Sequence, residues 1–525
     1  MYSLSDVVIQ DTLRGTFRLA APEIVLLATA CLVLLGGAIF NRRWLWFLVS
    51  FAGVGVAAIV AGTVKTAMPE APNVASILPD AMAGFIRWLA IAFAGIYLLV
   101  SASETDRTNA AEYFGCSLVA AAGVSLAGRA NDLVTLFLAL ELLSIPTYVL
   151  LYLPAKSKAN QEAAAKYFYL SVLSSAVLLF GFSYLYGLTG STNLTAIAGT
   201  LSKSNAEQAS PMALIAAVMA IAGIGFRITA VPFHFYAPDV YEGGPTGVVA
   251  QIAFWPKVAG LAALIRLLGL VSPDPLHAPF GPATQVPLLL WILAVLTMTF
   301  GNVLALLQDN VRRMLAYSGV AHGGYLLIGI VSASALSDAK TAPSVGGVEA
   351  ILVYLAAYGA MTVGAFAVLQ YLSAPEQPVE SIDDLAGLGT SKPISAACLG
   401  VFMLSMIGLP LTAGFVGKFL LFLGAMNAPS DSPSMGNLYQ VLAVVAAVNA
   451  AIGAIYYLRV VGVMYLRTAL RPAPKTRAIG ASFAALILAA ATLFLGFYPQ
   501  PLVKAARKAA PVPAFDAPVP TPLAK

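Results

Sequence analysis

The stretch GIGFRITAVPFHFYAPDVYEGGPTGVVAQIAFWPKVAGLAAL, Gly223–Leu264, decides how the rest of the chain reads. An apolar segment over about 211–226 reaches Arg227, breaks at Pro232 and passes His234, Pro238, Asp239 and Glu242. The chain then turns on Gly243, Gly244 and Pro245 and enters a second apolar run with Lys257 in its middle. In hydrocarbon every backbone polar group must be satisfied internally, so a proline break at that depth persists only packed against protein or lining a wet cavity. Ionisable side chains at that depth are rare and by default mark an ion or proton path. A broken helix beside buried charge is the pattern of a membrane protein that moves ions.

Composition agrees. The 525 residues are 59% hydrophobic and 10% charged, with mean hydropathy +0.85. Soluble domains carry about 25% charged residues, so the deficit alone assigns an all-α polytopic membrane protein. The net charge of +5 is spread over short loops with no basic block, which excludes nucleic acid as a partner and leaves the lipid bilayer. Cys31, Cys116 and Cys398 sit in apolar runs without CxxC or Cys/His spacing, so no iron–sulfur, haem or zinc site is expected. Residues 1–18 hold Asp6, Asp11, Arg14 and Arg18 and lack a continuous apolar core, which argues against a cleaved signal peptide.

A crossing helix needs about 20 apolar residues. Runs of that kind lie at 19–40, 44–64, 83–103, 111–128, 131–153, 163–188, 211–228, 245–271, 286–307, 312–333, 348–372, 393–427, 436–466 and 477–498, which makes fourteen. The piece at 232–241 counts as the second half of the seventh. The 393–427 run is too long for one straight crossing and contains Pro410 and several glycines, so it reads as a second discontinuous helix.

Loops after odd-numbered spans hold twelve cations: Arg42, Arg43, Arg107, Lys156, Lys158, Arg312, Arg313, Lys392, Arg467, Arg471, Lys475 and Arg477. Loops after even-numbered spans hold Lys65, Arg129, Lys203 and Lys340. The positive-inside rule puts the odd loops in the cytoplasm and both termini on the opposite, periplasmic face. The expected organisation is three N-terminal helices (1–110), a five-helix block (111–271), a second block (286–466), a last helix (477–498) and a Pro/Ala-rich tail (499–525). Each block has its discontinuous helix in fourth place, and two blocks of five helices lie in opposite orientation, which is an inverted repeat.

Six stretches carry a family resemblance: DLVTLFLALELLSIPTYVL (132–150), EAAAKYFYLSVLSSAVLLFG (162–181), VPFHFYAPDVYEG (231–243), GNVLALLQDNVRRMLAYSGVAHGGYLLIG (301–329), IGLPLTAGFVGKF (407–419) and YYLRVVGVMY (456–465). With these the chain resembles the antiporter-like membrane subunits of respiratory complex I, most closely the N-type subunit of NADH–quinone oxidoreductase, and the match spans most of 111–498. The resemblance implies a fourteen-helix subunit that couples distant quinone reduction to proton translocation in a bacterial inner membrane. Its partners would be the M-type antiporter-like subunit and the small K- and J-type subunits. Flavin, iron–sulfur clusters and quinone would belong to partner subunits, with no cofactor on this chain.

Glu141 sits at the centre of its span, where a carboxylate costs roughly 2.5–3.5 kcal/mol and cannot snorkel. It is either a structural hydrogen-bonding group or, as the resemblance implies, the acid of a buried Lys/Glu pair whose lysine is Lys166. Lys166 follows Glu162 by four residues and so shares a helix face with it, and from near the end of its span it can also reach water. Arg227 departs from the family, which has lysine in this motif. Arginine stays protonated in proteins, so Arg227 is either a fixed cation or a cap on carbonyls freed by the Pro232 break.

Lys257, some twelve residues into the eighth span, is the strongest proton-carrying candidate, since burial disfavours the charged form of lysine. The resemblance makes Lys418 the terminal proton site and sets His322 between the two lysines. Histidine titrates near neutrality without help, though a packing role stays open. His234 is either a relay or a stabiliser of the break. His277, in a loop, is read as inert. Tyr325, Tyr354, Tyr358, Tyr456 and Tyr457 are candidates for ordering water between sites.

The reading is therefore one proton-translocating module of a redox-driven pump. The alternatives are a cation/proton antiporter subunit of the multisubunit Mrp type, a freestanding secondary transporter, a ferredoxin-driven relative of complex I, and a scaffold that has lost pumping. Glu141 as the single carboxylate central to a continuous span tilts the choice toward protons over sodium. Absence of a long amphipathic helix after residue 498 argues against the longer L-type subunit.

Overall fold

A computed structural model describes residues 15–64, 75–102, 109–153, 157–203, 211–270, 285–334, 346–373, 378–428, 433–469 and 478–510. His277, much of the Pro/Ala-rich tail and loop cations including Lys65, Arg107 and Lys340 lie outside these residues. The chain runs through α1 (Ala21–Ile39), α2 (Arg43–Thr63), α3 (Ala81–Ser101), α4 (Ala110–Arg129), α5 (Leu133–Tyr152), α6 (Lys158–Thr189) and a surface helix α7 (Leu194–Lys203). It continues with α8 (Pro211–Arg227), α9 (Ala237–Gly243), α10 (Thr246–Leu267), α11 (Val286–Leu306), α12 (Val311–Ser334) and α13 (Gly347–Leu372). After two single-turn helical pieces, Ile382–Leu385 and Leu388–Ser391, come α14 (Pro393–Ile407), α15 (Ala413–Met426), α16 (Pro433–Leu466), α17 (Ile479–Phe497) and α18 (Gln500–Ala509). Among the described residues, β contacts are limited to three isolated bridges in loops.

Twelve described helices are long and apolar enough to cross a membrane, and the chain is an integral membrane protein. Three shorter apolar helices, α8, α14 and α15, belong to the two interrupted segments. The expectation of fourteen counted each interrupted segment as one crossing. Arg129, taken as a loop cation, is instead the buried last residue of α4.

Burial orders the helices. The apolar windows of α10 and α13 are buried along their whole length and that of α12 almost so, whereas α1, α2 and α17 turn most of their surface outward. A helix apolar on every side belongs at the centre of a large protein. The N-terminal helices pack on this centre through aromatics, with Phe93 against Phe254 (centroids 4.4 Å apart) and Tyr97 against Trp255 (4.5 Å). Tyr97 also donates to the Ala250 carbonyl at 3.2 Å. Small residues bring helices close: a Cβ on Gly123 would stand 2.8 Å from the Ala139 oxygen, so α4 and α5 touch backbone to backbone.

Each interruption satisfies its own backbone. After α8 the chain leaves helical geometry at Thr229 (φ 58°), passes a cis Val231–Pro232 bond and turns into α9. The Ala230 N–H returns to the Gly225 oxygen at 2.8 Å, Tyr236 Oη donates to the Phe226 oxygen at 3.0 Å, and the Val231 N–H reaches Thr297 Oγ1 on α11 at 3.0 Å. The second interruption turns at Gly408 (φ 92°) and Leu411 (φ 70°). Backbone N–H groups of Gly408 and Leu409 return to the Leu404 oxygen at 3.2 and 3.1 Å, and Gly414 N–H donates to Ser405 Oγ at 3.0 Å. Glycine carries the first positive φ of this turn because it has no Cβ to clash there.

Candidate functional site

Lys257 points from α10 into the buried centre, 1% exposed. Its Nζ donates to the Ala253 oxygen at 3.3 Å and stands 5.6 Å from the centre of the Tyr358 ring. Tyr358 Oη donates to the same carbonyl at 3.2 Å. Three polar ends converge on the bare backbone of Gly319: a Cβ there would lie 3.1 Å from Tyr358 Oη, 3.5 Å from Lys257 Nζ and 3.7 Å from Tyr241 Oη. Tyr241 Oη is buried without a hydrogen-bond partner. No carboxylate pairs with Lys257 among the described residues, so its proton is held by one carbonyl and a ring face.

His322 follows on the far side of Tyr358, with ring centroids 5.2 Å apart. Its Nδ1 meets Tyr354 Oη at 2.5 Å and its Nε2 meets Tyr457 Oη at 3.0 Å. Tyr457 Oη is also hydrogen-bonded to Ser318 Oγ. An imidazole with an oxygen partner on each nitrogen can exchange tautomers by passing protons in one direction, which is the geometry of a relay. Beyond His322 stands Tyr325, 6.0 Å away between centroids, and Lys418 Nζ lies 4.8 Å from the Tyr325 ring. Tyr325 Oη accepts from Asn302 Nδ2 at 3.3 Å, and Tyr456 Oη donates to Asn302 Oδ1 at 3.0 Å. The order is Lys257, Tyr358, His322, Tyr325, Lys418.

Lys418 is 5% exposed and donates to the carbonyls of Met406 at 2.8 Å and Ile407 at 3.1 Å. These are the last carbonyls of α14, freed where the helix stops. The lysine thus ties down the break and also ends the polar line.

The expected Glu141–Lys166 pair is absent. Glu141 Oε1 accepts instead from Arg227 Nη2 at 2.9 Å and Ser175 Oγ at 2.5 Å. Arg227, 4% exposed, also donates to the Leu140 oxygen at 3.2 Å, to Ser175 Oγ at 3.1 Å and to Ser144 Oγ. Its guanidinium therefore does not cap the carbonyls of its own break. A planar five-donor fork reaches several acceptors on α5 and α6 together, where an ammonium offers a point charge. Lys166 lies 40% exposed and pairs with Glu162 and Asp239, both at 2.6 Å. Asp239 continues to Arg313 at 2.8 Å, and Arg313 to Glu242 at 2.7 Å. These charges form a half-exposed chain at the end of the block that holds α9.

His234 lies in the first break beside Tyr317, centroids 6.4 Å apart, with a buried, unpartnered Nδ1. Sequence reasoning missed Tyr241, Gly319 and the serines that hold Arg227, because tyrosine, glycine and serine abound in membrane helices and nothing local marks these ones. It also passed over Glu23, Arg87 and Arg266, which the rule used for Glu141, an ionisable group inside an apolar run, would have found.

Fold and site together define a polytopic helical protein with two interrupted helices flanking a buried line of lysines, histidine and tyrosines. The family described as NADH:quinone oxidoreductase/Mrp antiporter, TM matches residues 130–441. NADH-quinone oxidoreductase subunit N of Trichlorobacter lovleyi is 39% identical over 423 residues, 80% of each chain. A chain of respiratory complex I from Thermus thermophilus with bound aureothin superposes with a TM-score of 0.74 at 28% identity, covering 92% of this chain and 98% of its own. A chain of the Mrp complex from Dietzia reaches 0.78 at 20% identity over 94% and 97%, a likeness of fold alone. The chain belongs to this antiporter family and, within it, to the subunit N branch of NADH-quinone oxidoreductase.

Proposed function

We propose that this chain is the proton-translocating, antiporter-like subunit N of an NADH:quinone oxidoreductase, moving protons while partner subunits reduce quinone. The observation that carries the reading is the pair of buried lysines, Lys257 and Lys418, each without a carboxylate partner among the described residues and joined through Tyr358, His322 and Tyr325. Lysine can give up its proton where arginine cannot. A proton enters from the half-exposed chain of Lys166, Asp239, Arg313 and Glu242, loads Lys257, crosses by His322 and leaves at Lys418. Each positive charge disfavours the next across a low-dielectric interior, so the proton advances by repulsion. Arg227 with Glu141 is a fixed charge pair that biases this line and does not itself carry the proton. His234 and Tyr325 are assigned as flanking relay groups.

The redox centres belong to partners: flavin, iron–sulfur clusters and quinone are placed outside this chain, and its neighbours are M-type, K-type and J-type membrane subunits. The chain lies in a bacterial inner membrane with both termini periplasmic, as its loop cations favour, and its two five-helix blocks are inverted repeats. The second reading, an Mrp-type cation/proton antiporter subunit, shares the same fold.

The test is to tag the chain, extract it in mild detergent, identify what co-purifies, and assay Lys257→Ala for redox-driven pumping in liposomes. Flavin and iron–sulfur subunits with more than tenfold loss of pumping in assembled complex are expected. Recovery with small antiporter subunits only would transfer the assignment to cation/proton exchange.

A further inference from the structure

The N-terminal helices and the first block share a second charge cluster, at the end opposite the half-exposed chain, that the pathway does not use. Glu23 on α1 accepts from Arg87 Nε at 2.9 Å and Nη2 at 2.7 Å, and also from Ser125 Oγ. Arg129, closing α4, stands 3.7 Å from the same carboxylate and gives an N–H to the Leu19 oxygen at 2.9 Å. Its Nε is buried without a hydrogen bond. Arg266, closing α10, is bidentate to Asp80, with Nη2 to Oδ1 at 2.8 Å, and donates to the Gly128 oxygen. The three arginines are 4%, 1% and 5% exposed in their side chains, and the carboxylates 1% and 11%. Three fixed cations face two carboxylates. Pairing Arg87 with Glu23 and Arg266 with Asp80 leaves Arg129 as one surplus positive charge in a dry site.

The cluster lies at the C-terminal end of the helix that carries Lys257. Arg266 follows Lys257 by nine residues on α10, about 13 Å along the helix. The loops above it are sewn together: Leu78 N–H to the Arg129 oxygen and Asn131 N–H to the Ser76 oxygen, both 2.8 Å, with Asn131 and Asn193 side chains on the Ala75 oxygen at 3.0 and 3.1 Å. The charges at the opposite end have side chains 27–45% exposed, carboxylates among them. An arginine or other fixed positive charge in a narrow path is one physical means of excluding protons.

We propose that Arg129, with Arg87 and Arg266, is a fixed-charge seal that closes the outer end of the first block to protons. A proton on Lys257 is thereby sent sideways to His322 and Lys418 instead of straight out along α10. This rests on the pumping reading and the orientation given above.

The experiment is passive proton leak under an imposed pH gradient, without turnover, in liposomes holding the assembled complex. One unit charge on the order of 10 Å from a proton's path, at an effective dielectric of about 20, alters a barrier by roughly tenfold in rate, so Arg129→Gln raises leak by roughly that factor. Arg129→Lys, which keeps the charge, stays at the parent level. So does Glu23→Gln with Arg129→Gln, which restores one surplus charge while removing further hydrogen bonds. Adding Lys257→Ala to Arg129→Gln abolishes the extra leak. Should Arg129→Gln not assemble, Arg87→Gln removes the same surplus by leaving Arg129 to pair with Glu23, and the same rise is expected. Unchanged leak in an assembled neutral variant overturns the seal, as does equal leak in the Lys and Gln variants, which marks a packing role. Intact redox-driven pumping in Lys257→Ala alone would overturn the pumping reading instead.

Discussion

At the first interruption the freed backbone is satisfied by neutral groups, the Thr297 and Tyr236 hydroxyls and the turn itself, and the nearby cation looks away to a carboxylate. At the second, the freed carbonyls of Met406 and Ile407 are satisfied by the cation, Lys418. Arg227 is thus locked into a compensated pair that asks nothing of the break. Lys418 has the break as its main partner, so losing or gaining a proton there changes what holds α14 and α15 together. One interruption is a fixed frame; the other is chemically coupled to the charge it carries.

Removing the coupled cation is the strongest way to break the comparison. Lys418→Ala is expected to abolish redox-driven pumping while leaving the first interruption unchanged, measured by proton uptake per quinone reduced in liposomes. Retained pumping would make Lys418 a structural tie and nothing more.

Arg227→Gln comes next. It strands Glu141, and removing one partner of a buried pair costs about 3 kcal/mol, so a clear fall in the unfolding temperature of the assembled complex is expected. Pumping should fall severalfold. Arg227→Lys, which keeps the charge, should retain most of it, and full pumping in the Gln variant would end the fixed-charge role.

Thr297→Val sharpens the contrast with the smallest effect. It leaves the buried Val231 N–H without its acceptor, worth about 1–3 kcal/mol, and should lower thermal stability with pumping per quinone unchanged. A loss of coupling here as large as at Lys418 would show that both breaks carry the chemistry.

Much of this was legible in the chain. The span 286–307 becomes Val286–Leu306 and 348–372 becomes Gly347–Leu372, and both interruptions fall near Pro232 and Pro410, where they were expected. Lys257, His322 and Lys418 were singled out and are all buried. The partner of Glu141 was misread: the lysine expected there lies in a half-exposed chain, and the arginine that departs from the family motif took its place. Nothing in EAAAKYF or GFRITAV states which way the side chain of either helix is turned.

The division has a physical cause. A run of about 20 apolar residues can cross hydrocarbon only as a helix, because no other open structure pairs its own backbone, and an interruption there demands a charged or hydroxyl-bearing neighbour. The long apolar helices, the break positions and the burial of Lys257, His322 and Lys418 are therefore local facts that sequence determined by itself. Which cation meets which anion is not local: Arg227 and Glu141 are 86 residues apart, and Arg266 and Asp80 are 186. Those pairings follow from the rotation of each helix about its axis and from close approaches such as Gly123 against Ala139, and only the packed helices decided them.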